Sequence, residues 1–381
     1  MELAIERTSL LNGLSLVQGI VERRTTVPIL GNVLLESKDS LLQLDATDLE
    51  VGIRTSIACN STKPGTTTLN ARKLFEIVRE AEAAEVLLRT LDKDWVELKC
   101  GRAKFKMMGL DPRSFPAMPK QGEGAAAKGA QTRKPLKAEL GIAADVLAAM
   151  IDRTIFSVSP DETRYNLSGV YIESPNPGTA RMVATDGHRL SMIERAVEDF
   201  KMEGGAILPR KGLAELRKLL DSGGEAGVKL ALESQLGWIK RGPTELSMRL
   251  IEGEFPDYRG VVPKESKYMV KVSRDSLHAA IKRAAIFSSE RYHGVKLTLA
   301  DGGITISSTT PELGEANETI DADFKGEEFS VGFNSAYLLQ ALNVIPAESD
   351  VILGLSDEVS PGAITTPTDT GYKYVVMPMR L

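Results

Sequence analysis

The chain has little of what reactive centres are built from. It holds three histidines and two cysteines in 381 residues. His188, His278 and His293 are scattered, without His-x-x-x-His spacing and without a cysteine nearby. That excludes the usual transition-metal frameworks, so no metal site and no cofactor are expected. Neither a Gly-x-x-x-x-Gly-Lys-Ser/Thr loop nor a Gly-x-Ser-x-Gly elbow is present, and Gly223-Gly224, in DSGGEAG, reads as a helix stop rather than a phosphate cradle. Cys59 and Cys100 lie in strand-like sequence and read as small core residues rather than as a disulfide. No apolar run is long enough to span a bilayer, and the opening MELAIERTSLL is an amphipathic start, not a signal peptide. A cytoplasmic protein is therefore expected. The net charge of −5 removes any bulk electrostatic argument for nucleic-acid binding, which leaves only the distribution of charge to consider.

What the chain does have is a pattern stated three times. Amphipathic helical stretches at 9–17, 143–151 and 274–284 open each third. Each runs into a strand through Gly31-Asn32-Val33, Ser168-Gly169-Val170 or His293-Gly294-Val295. A second helix follows at 71–80, 210–220 and 334–344, and each third closes at Phe115-Pro116, Phe255-Pro256 or Met377-Pro378. The first two thirds also share Ala-Thr-Asp, at 46–48 and 184–186. A period of roughly 120–140 residues is far longer than that of solenoid repeats, so these are copies of a whole domain.

Within each copy two periodicities alternate. Val96, Leu98 and Cys100 face one way while Trp95, Glu97 and Lys99 face the other, as on a half-buried strand. Leu74, Phe75 and Val78, then Leu213, Leu216 and Leu220, fall on single helix faces. The expected fold is α+β: three tandem similar domains, each with two helices packed on antiparallel sheet. The Gly/Ala-rich stretch 121–134 reads as a linker and 263–266 as a second boundary, giving domains at 1–125, 135–263 and 267–381. Basic residues recur on the second helices (Arg72, Lys73 and Arg79; Arg210, Lys211, Arg217 and Lys218), while acid gathers in strands and loops. Each helix alone reads as an ordinary solvated face; recurrence points to a shared basic surface.

The one catalytic candidate is Asp186-Gly187-His188-Arg189, a carboxylate and an imidazole close together. Asp-Gly after a strand is first a turn signal. Because the first copy repeats Ala-Thr-Asp but continues with Leu49-Glu50, the aspartate reads as structural, and His188 and Arg189 read as a surface exposed for binding. The protein is not expected to be an enzyme.

Four stretches carry a family resemblance: RRTTVPILGNVLLE at 23–36, ATDGHRL at 184–190, FPDYR at 255–259 and the terminal YVVMPMRL at 374–381. They closely resemble the bacterial DNA sliding clamp, the β subunit of the replicative DNA polymerase III holoenzyme, in order along the whole chain. The resemblance implies a DNA clamp fold and a head-to-tail homodimer forming a six-domain ring, with helices around the hole and sheets outside. It implies a DNA polymerase processivity factor that encircles duplex DNA without reading sequence and slides along it. It also implies docking of the polymerase catalytic subunit, the clamp loader, translesion polymerases and repair proteins through short hydrophobic peptides. An alternative is a clamp homologue diverted to resistance against a clamp-targeting compound. A mildly basic lumen suits sliding, because phosphate attraction without base contacts fixes no register.

Carried over by resemblance, the DNA-contact candidates are Arg24, Arg72, Lys73, Tyr165, Arg210 and Lys211. Arg24 also reads as a solvated turn residue, and Tyr165 as plain packing. Asn166 stands where some members have a second aromatic. The peptide-pocket candidates are Leu167, Thr185, Gly187, His188, Arg189 and Leu190 from the second copy, with Pro256 and Val261 after it. The third copy supplies Tyr292, Asn334, Tyr337, Val359 and Val375, and the C-terminus supplies Met377, Pro378, Met379, Arg380 and Leu381. Gly260 and Pro361 depart from relatives at the rim. The dimer interface is expected at Phe105 on one side and Ile286 with Phe287 on the other.

Overall fold

The computed structural model describes residues 1–22, 26–119, 137–224, 226–233, 235–289 and 291–380; the expected linker at 121–134, Arg24 and Leu381 lie outside them. Among the described residues six helices, α1 (Arg7–Val17), α2 (Ala71–Glu80), α3 (Ala144–Asp152), α4 (Arg210–Asp221), α5 (Arg274–Ala284) and α6 (Ser335–Asn343), stand within two residues of their expected ends. The late start of α6 has a cause. Asn334 is its cap, its side chain accepting from the backbone N–H groups of Ala336 and Tyr337, as Asn70 does for Lys73 at α2. α4 ends before Gly223 and Gly224, whose φ of 76° and 103° suit glycine and stop the helix.

The three copies share their joints as well as their pattern. The first helical N–H of α1, α3 and α5 donates to the carbonyl of Ala84, Ala226 and Ser349, at 2.8, 2.8 and 2.9 Å. Each acceptor lies just before the strand that returns beside the helix start, so one hydrogen bond locks the same corner in every copy.

The first copy contributes strands β1 (Glu2–Glu6), β2 (Asn32–Lys38), β3 (Leu41–Thr47), β4 (Val51–Ala58), β5 (Asn60–Lys63), β6 (Gly65–Asn70), β7 (Glu85–Thr90), β8 (Trp95–Cys100) and β9 (Ala103–Met108). The second contributes β10 (Lys137–Ala143), β11 (Gly169–Glu173), β12 (Thr179–Thr185), β13 (Arg189–Ala196), β14 (Gly205–Pro209), β15 (Gly227–Glu233), β16 (Leu236–Arg241) and β17 (Thr244–Arg249). The third contributes β18 (Tyr268–Ser273), β19 (Gly294–Ala300), β20 (Gly303–Thr310), β21 (Gly314–Asp321), β22 (Phe329–Asn334), β23 (Asp350–Leu355), β24 (Gly362–Thr366) and β25 (Asp369–Val376). As the alternation predicts, Val96, Leu98 and Cys100 on β8 are buried. Cys59, half-buried, and Cys100 are both free thiols.

The chain gathers into two compact units, 1–148 with 202–250, and 149–201 with 251–381. In the first, β5-β1-β7-β8-β9 form one sheet and β10-β15-β16-β17-β4-β3-β2-β6 another. That second sheet is continuous from copy two into copy one: β17 pairs antiparallel with β4, from Thr244 opposite Thr55 to Met248 opposite Val51. The hydroxyls of Thr55 and Thr244 bond across the seam at 2.8 Å. α1 packs on both α2 and α4.

The second unit repeats the device. Its large sheet runs β11-β12-β13-β25-β24-β23-β18, with the seam between β13 and β25, from Arg189 opposite Val376 to Ile193 opposite Tyr372. A smaller sheet runs β21-β20-β19-β22, and α5 packs on α6. Strands β4, β13 and β21 hold the same place in successive copies, as do β9, β17 and β25. Two of the three pairings this equivalence allows are made within the chain. The remaining members, β9 and β21, stand at the outer edges of their sheets.

Candidate functional site

The Ala-Thr-Asp signal is a turn, built identically twice. In the second copy the Asp186 carboxylate accepts from the backbone N–H groups of His188 (2.9 Å) and Arg189 (3.1 Å). The Thr185 hydroxyl donates to Arg189 O (2.6 Å) and accepts from Gly187 N (3.1 Å). In the first copy Asp48 and Thr47 make the same four bonds to Glu50, Val51 and Leu49. The residue after the aspartate is left-handed in both, φ 79° at Leu49 and 89° at Gly187. Both aspartates do backbone work, which accounts for the repetition.

Arg189 corrects the sequence reading. It is not exposed for binding but 7% exposed. Its guanidinium donates to Asp186 Oδ2 (3.0 Å), to Phe156 O (2.7 Å) and to Gln340 Oε1, and it lies over the Tyr337 ring at 4.4 Å. A delocalised cation with five donors satisfies several fixed acceptors at once, so tertiary partners draw it inside. His188 beside it stays exposed.

From this buried post the candidate pocket assembles in the second unit. β25 lies along β13, and past its end Met377 N donates to His188 O (2.9 Å) and Met379 N to Gly332 O (2.8 Å), so the terminal segment is laced to both copies. Leu190 and Val375 share a buried apolar cluster with Val183 and Tyr258, flanked by Tyr171, Met192, Phe255 and Val262. The Leu167 turn is tied to the Asp186 turn, since Arg164, three residues before it, donates to Asp186 O (3.0 Å). Asn334 Nδ2 donates to Tyr292 O (3.4 Å), and Tyr374 Oη donates to Tyr337 O (3.0 Å). The same unit exposes the apolar candidates Val261 (43%), Tyr292 (53%), Val359 (67%) and Met377 (38%), with Pro256 also exposed. Thr185, Leu167 and Val375 are buried and serve as floor. Exposed Met and Val beside polar groups are the kind of surface that suits an extended apolar peptide.

The sequence reading missed the residues beneath. Gln340 and Phe156 carried no motif. Tyr258 lay inside FPDYR but is 4% exposed, and burial with the adjacent Glu173 carboxylate pushes its phenol up to about 12, so it donates at neutral pH.

The basic candidates fare differently. Lys73 is exposed and paired with Glu76 (2.7 Å), while Arg72 is half-buried and donates to Val21 O (3.2 Å). Lys211 is held by Asp48, with Glu22 at 3.6 Å, so much of its charge is answered within the first unit. Arg210 is exposed, and Tyr165 is 58% exposed on a short 3-10 turn. Asn166 Nδ2 donates to Glu254 O (2.8 Å), a hydrogen bond that fixes the turn instead of presenting a stacking face. At the expected interface Phe105 (38%) and Ile286 (68%) are exposed, whereas Phe287 is half-buried and its carbonyl accepts from Thr310. Among the described residues no cluster of His, Cys, Asp and Glu is placed to hold a metal, and no helix is long and apolar enough to cross a membrane.

Repeated α+β copies fused edge to edge, carrying a laced apolar docking surface, define a clamp-type scaffold. The models of the DNA polymerase III beta subunit match along the chain, with the N-terminal domain at 1–119, the central domain at 141–257 and the C-terminal domain at 259–380. The beta sliding clamps of Caulobacter vibrioides strain NA1000 and Proteus mirabilis are 36% and 37% identical, each over 100% of both chains. The crystal structure of the Caulobacter crescentus clamp, with polyethylene glycol at its proposed beta-motif tethering region, superposes with a TM-score of 0.92 at 35% identity, covering 100% of this chain and 99% of that one. The Bartonella birtlesii sliding clamp bound to griselimycin does so at 0.91 and 31%, with 100% of both covered. The chain belongs to the family of DNA polymerase III beta subunits, the beta sliding clamps. These relatives favour the clamp reading over a homologue diverted to resistance.

Proposed function

We propose that two copies of this chain close head to tail into a six-domain ring that encircles duplex DNA, slides along it and tethers polymerases. The observation that carries the reading is the unfinished series of seams. β4 is joined by β17 and β13 by β25, and the equivalent edges, β21 and β9, await a second chain. β9 carries Lys104 and Lys106 around Phe105, and β21 carries Glu315, Glu318 and Asp321, so the edges are opposite in charge. A head-to-tail contact that closes after two copies gives a twofold ring that leaves neither β9 nor β21 unpaired.

The tandem domains are assigned to 1–125, 135–263 and 267–381. Arg24, Arg72, Lys73, Tyr165, Arg210 and Lys211 are proposed to face the DNA, with Lys73 and Arg210 the most accessible of the described basic residues among them. Retention on DNA then comes from enclosure, and weak phosphate attraction permits sliding. The pocket around Leu190, Val375 and Met377 receives short hydrophobic peptides of the polymerase catalytic subunit, clamp loader, translesion polymerases and repair proteins. The role is non-enzymatic and cytoplasmic. Small-angle X-ray scattering tests the ring: the expected particle has twice the 41.3 kDa chain mass and a hollow about as wide as duplex DNA. A compact monomer at micromolar concentration refutes closure.

A further inference from the structure

One wall of the pocket hangs from a single strand. Tyr171 and Glu173 lie two apart on β11 and so share a face. Phe255 stacks on Tyr171, ring centroids 4.9 Å apart and planes within 7°. Glu173, 6% exposed, accepts from the Tyr258 hydroxyl, from Arg259 Nη2 (2.8 Å) and from Arg181 Nη1 (2.9 Å). Arg181 also donates to Tyr258 Oη (2.8 Å) and, through Nε, to Glu194 (2.7 Å). Between these grips the segment 255–262 carries Pro256 and Val261 outward, braced internally by Val261 N donating to Tyr258 O (3.1 Å). Tyr258 belongs to two environments at once: its ring packs with Leu190 and Val375 in the pocket floor, and its hydroxyl enters the charged knot.

We propose that Glu173, with Arg181 and Tyr258, is a positioning residue for peptide docking: it holds the Pro256–Val261 wall at a fixed separation from the C-terminal wall at Met377. The proposal rests on the peptide-docking reading above and names the device that sets the pocket's width. A buried ion cluster adds little net stability over apolar packing of the same shape. What it supplies is one geometry for an exposed loop, and a preformed wall spares the peptide the cost of ordering it.

The test uses full-length protein and the fluorescein-labelled clamp-binding peptide of the replicative polymerase, with single-alanine versions of that peptide. Wild-type binding by fluorescence anisotropy comes first; absence of binding fails the docking reading itself and this inference with it. Given wild-type binding, Tyr258→Phe is expected to weaken the peptide about five-fold and Glu173→Gln about ten-fold, with chain mass unchanged. Tyr258→Phe should keep a melting temperature close to wild type, whereas Glu173→Gln, which strips Arg181 and Arg259 of their shared carboxylate, should lower it. The loss should disappear for the alanine peptide lacking the side chain that meets Val261. Unchanged affinity in both variants overturns the proposal. So does equal weakening across every peptide, which marks general damage to the fold; Tyr258→Phe, which keeps the packing, secures the test if Glu173→Gln folds poorly.

Discussion

Ile286→Asp is the sharpest perturbation of the ring. Ile286 is 68% exposed in the single chain, so the substitution uncovers no core and should change the stability of the fold by no more than about 0.5 kcal/mol. Phe287 is the poorer choice because it is half-buried and its carbonyl is engaged by Thr310. Across a closed seam, losing the burial of one isoleucine costs about 2 kcal/mol. Burying an unpaired carboxylate there adds about 2–3 kcal/mol more. A ring has two such seams and both must open to release a chain, so the penalty is about 8–10 kcal/mol. That raises the dissociation constant roughly a million-fold, enough to turn a nanomolar dimer into a millimolar one. Sedimentation equilibrium at micromolar concentration should then return a folded species of 41.3 kDa with an unaltered circular dichroism spectrum. A variant that still sediments at twice that mass refutes the placement of Ile286 in the seam. An unfolded variant refutes its exposure.

Gly187→Ala should destabilise the fold by about 1–2 kcal/mol, read from urea unfolding, because φ is 89° and the new Cβ would stand 2.9 Å from Arg164 Nη1. Leu49→Gly at the matching turn, with φ 79° and the side chain 58% exposed, should be neutral to stabilising by up to about 1 kcal/mol in the same assay. Arg241→Met should cost about 1–2 kcal/mol by thermal unfolding, since the buried guanidinium donates to the last-turn carbonyls of Leu219 and Leu220 on α4. Its loss takes that donor from Leu220 O, while Leu219 O keeps Ser222 N and Oγ. Tyr258 is raised from 10.0 to about 12 on folding, so its contribution is complete below pH 10 and lost as pH climbs toward 12. The alkaline limb of a stability–pH curve should therefore be shallower in Tyr258→Phe.

Helices were legible because an amphipathic face needs only its own sequence to show. The sequence places the start of α6 one residue early because a capping asparagine and a helical one look alike until the φ/ψ break is known. The strand alternation at β8 was equally plain. The seams were not, because nothing in Thr244–Arg249 says that its neighbour is Val51–Ala58 from the preceding copy. For the same reason Arg189 reads as surface from the sequence alone. Two of its three acceptors, Phe156 O and Gln340, are 33 and 151 residues away in the chain, and only the folded unit brings them together. The pocket's visible residues came through the family likeness, whereas Glu173, a lone acid in a strand, offered no signal at all.

The seams also decide how this protein can be taken apart. Cutting at the borders of the repeats severs the large sheets through their middles. A fragment ending at residue 119 keeps β6-β2-β3-β4 but bares β4, with its row of open amides and the Thr55 hydroxyl. Such a piece is complete by sequence and incomplete by hydrogen bonding, and it should stick to its own kind along that edge. For expression, crystallisation or evolutionary shuffling, the tractable module is one that keeps both strands of a seam together, β4 with β17 or β13 with β25, and the repeat is only its unit of bookkeeping.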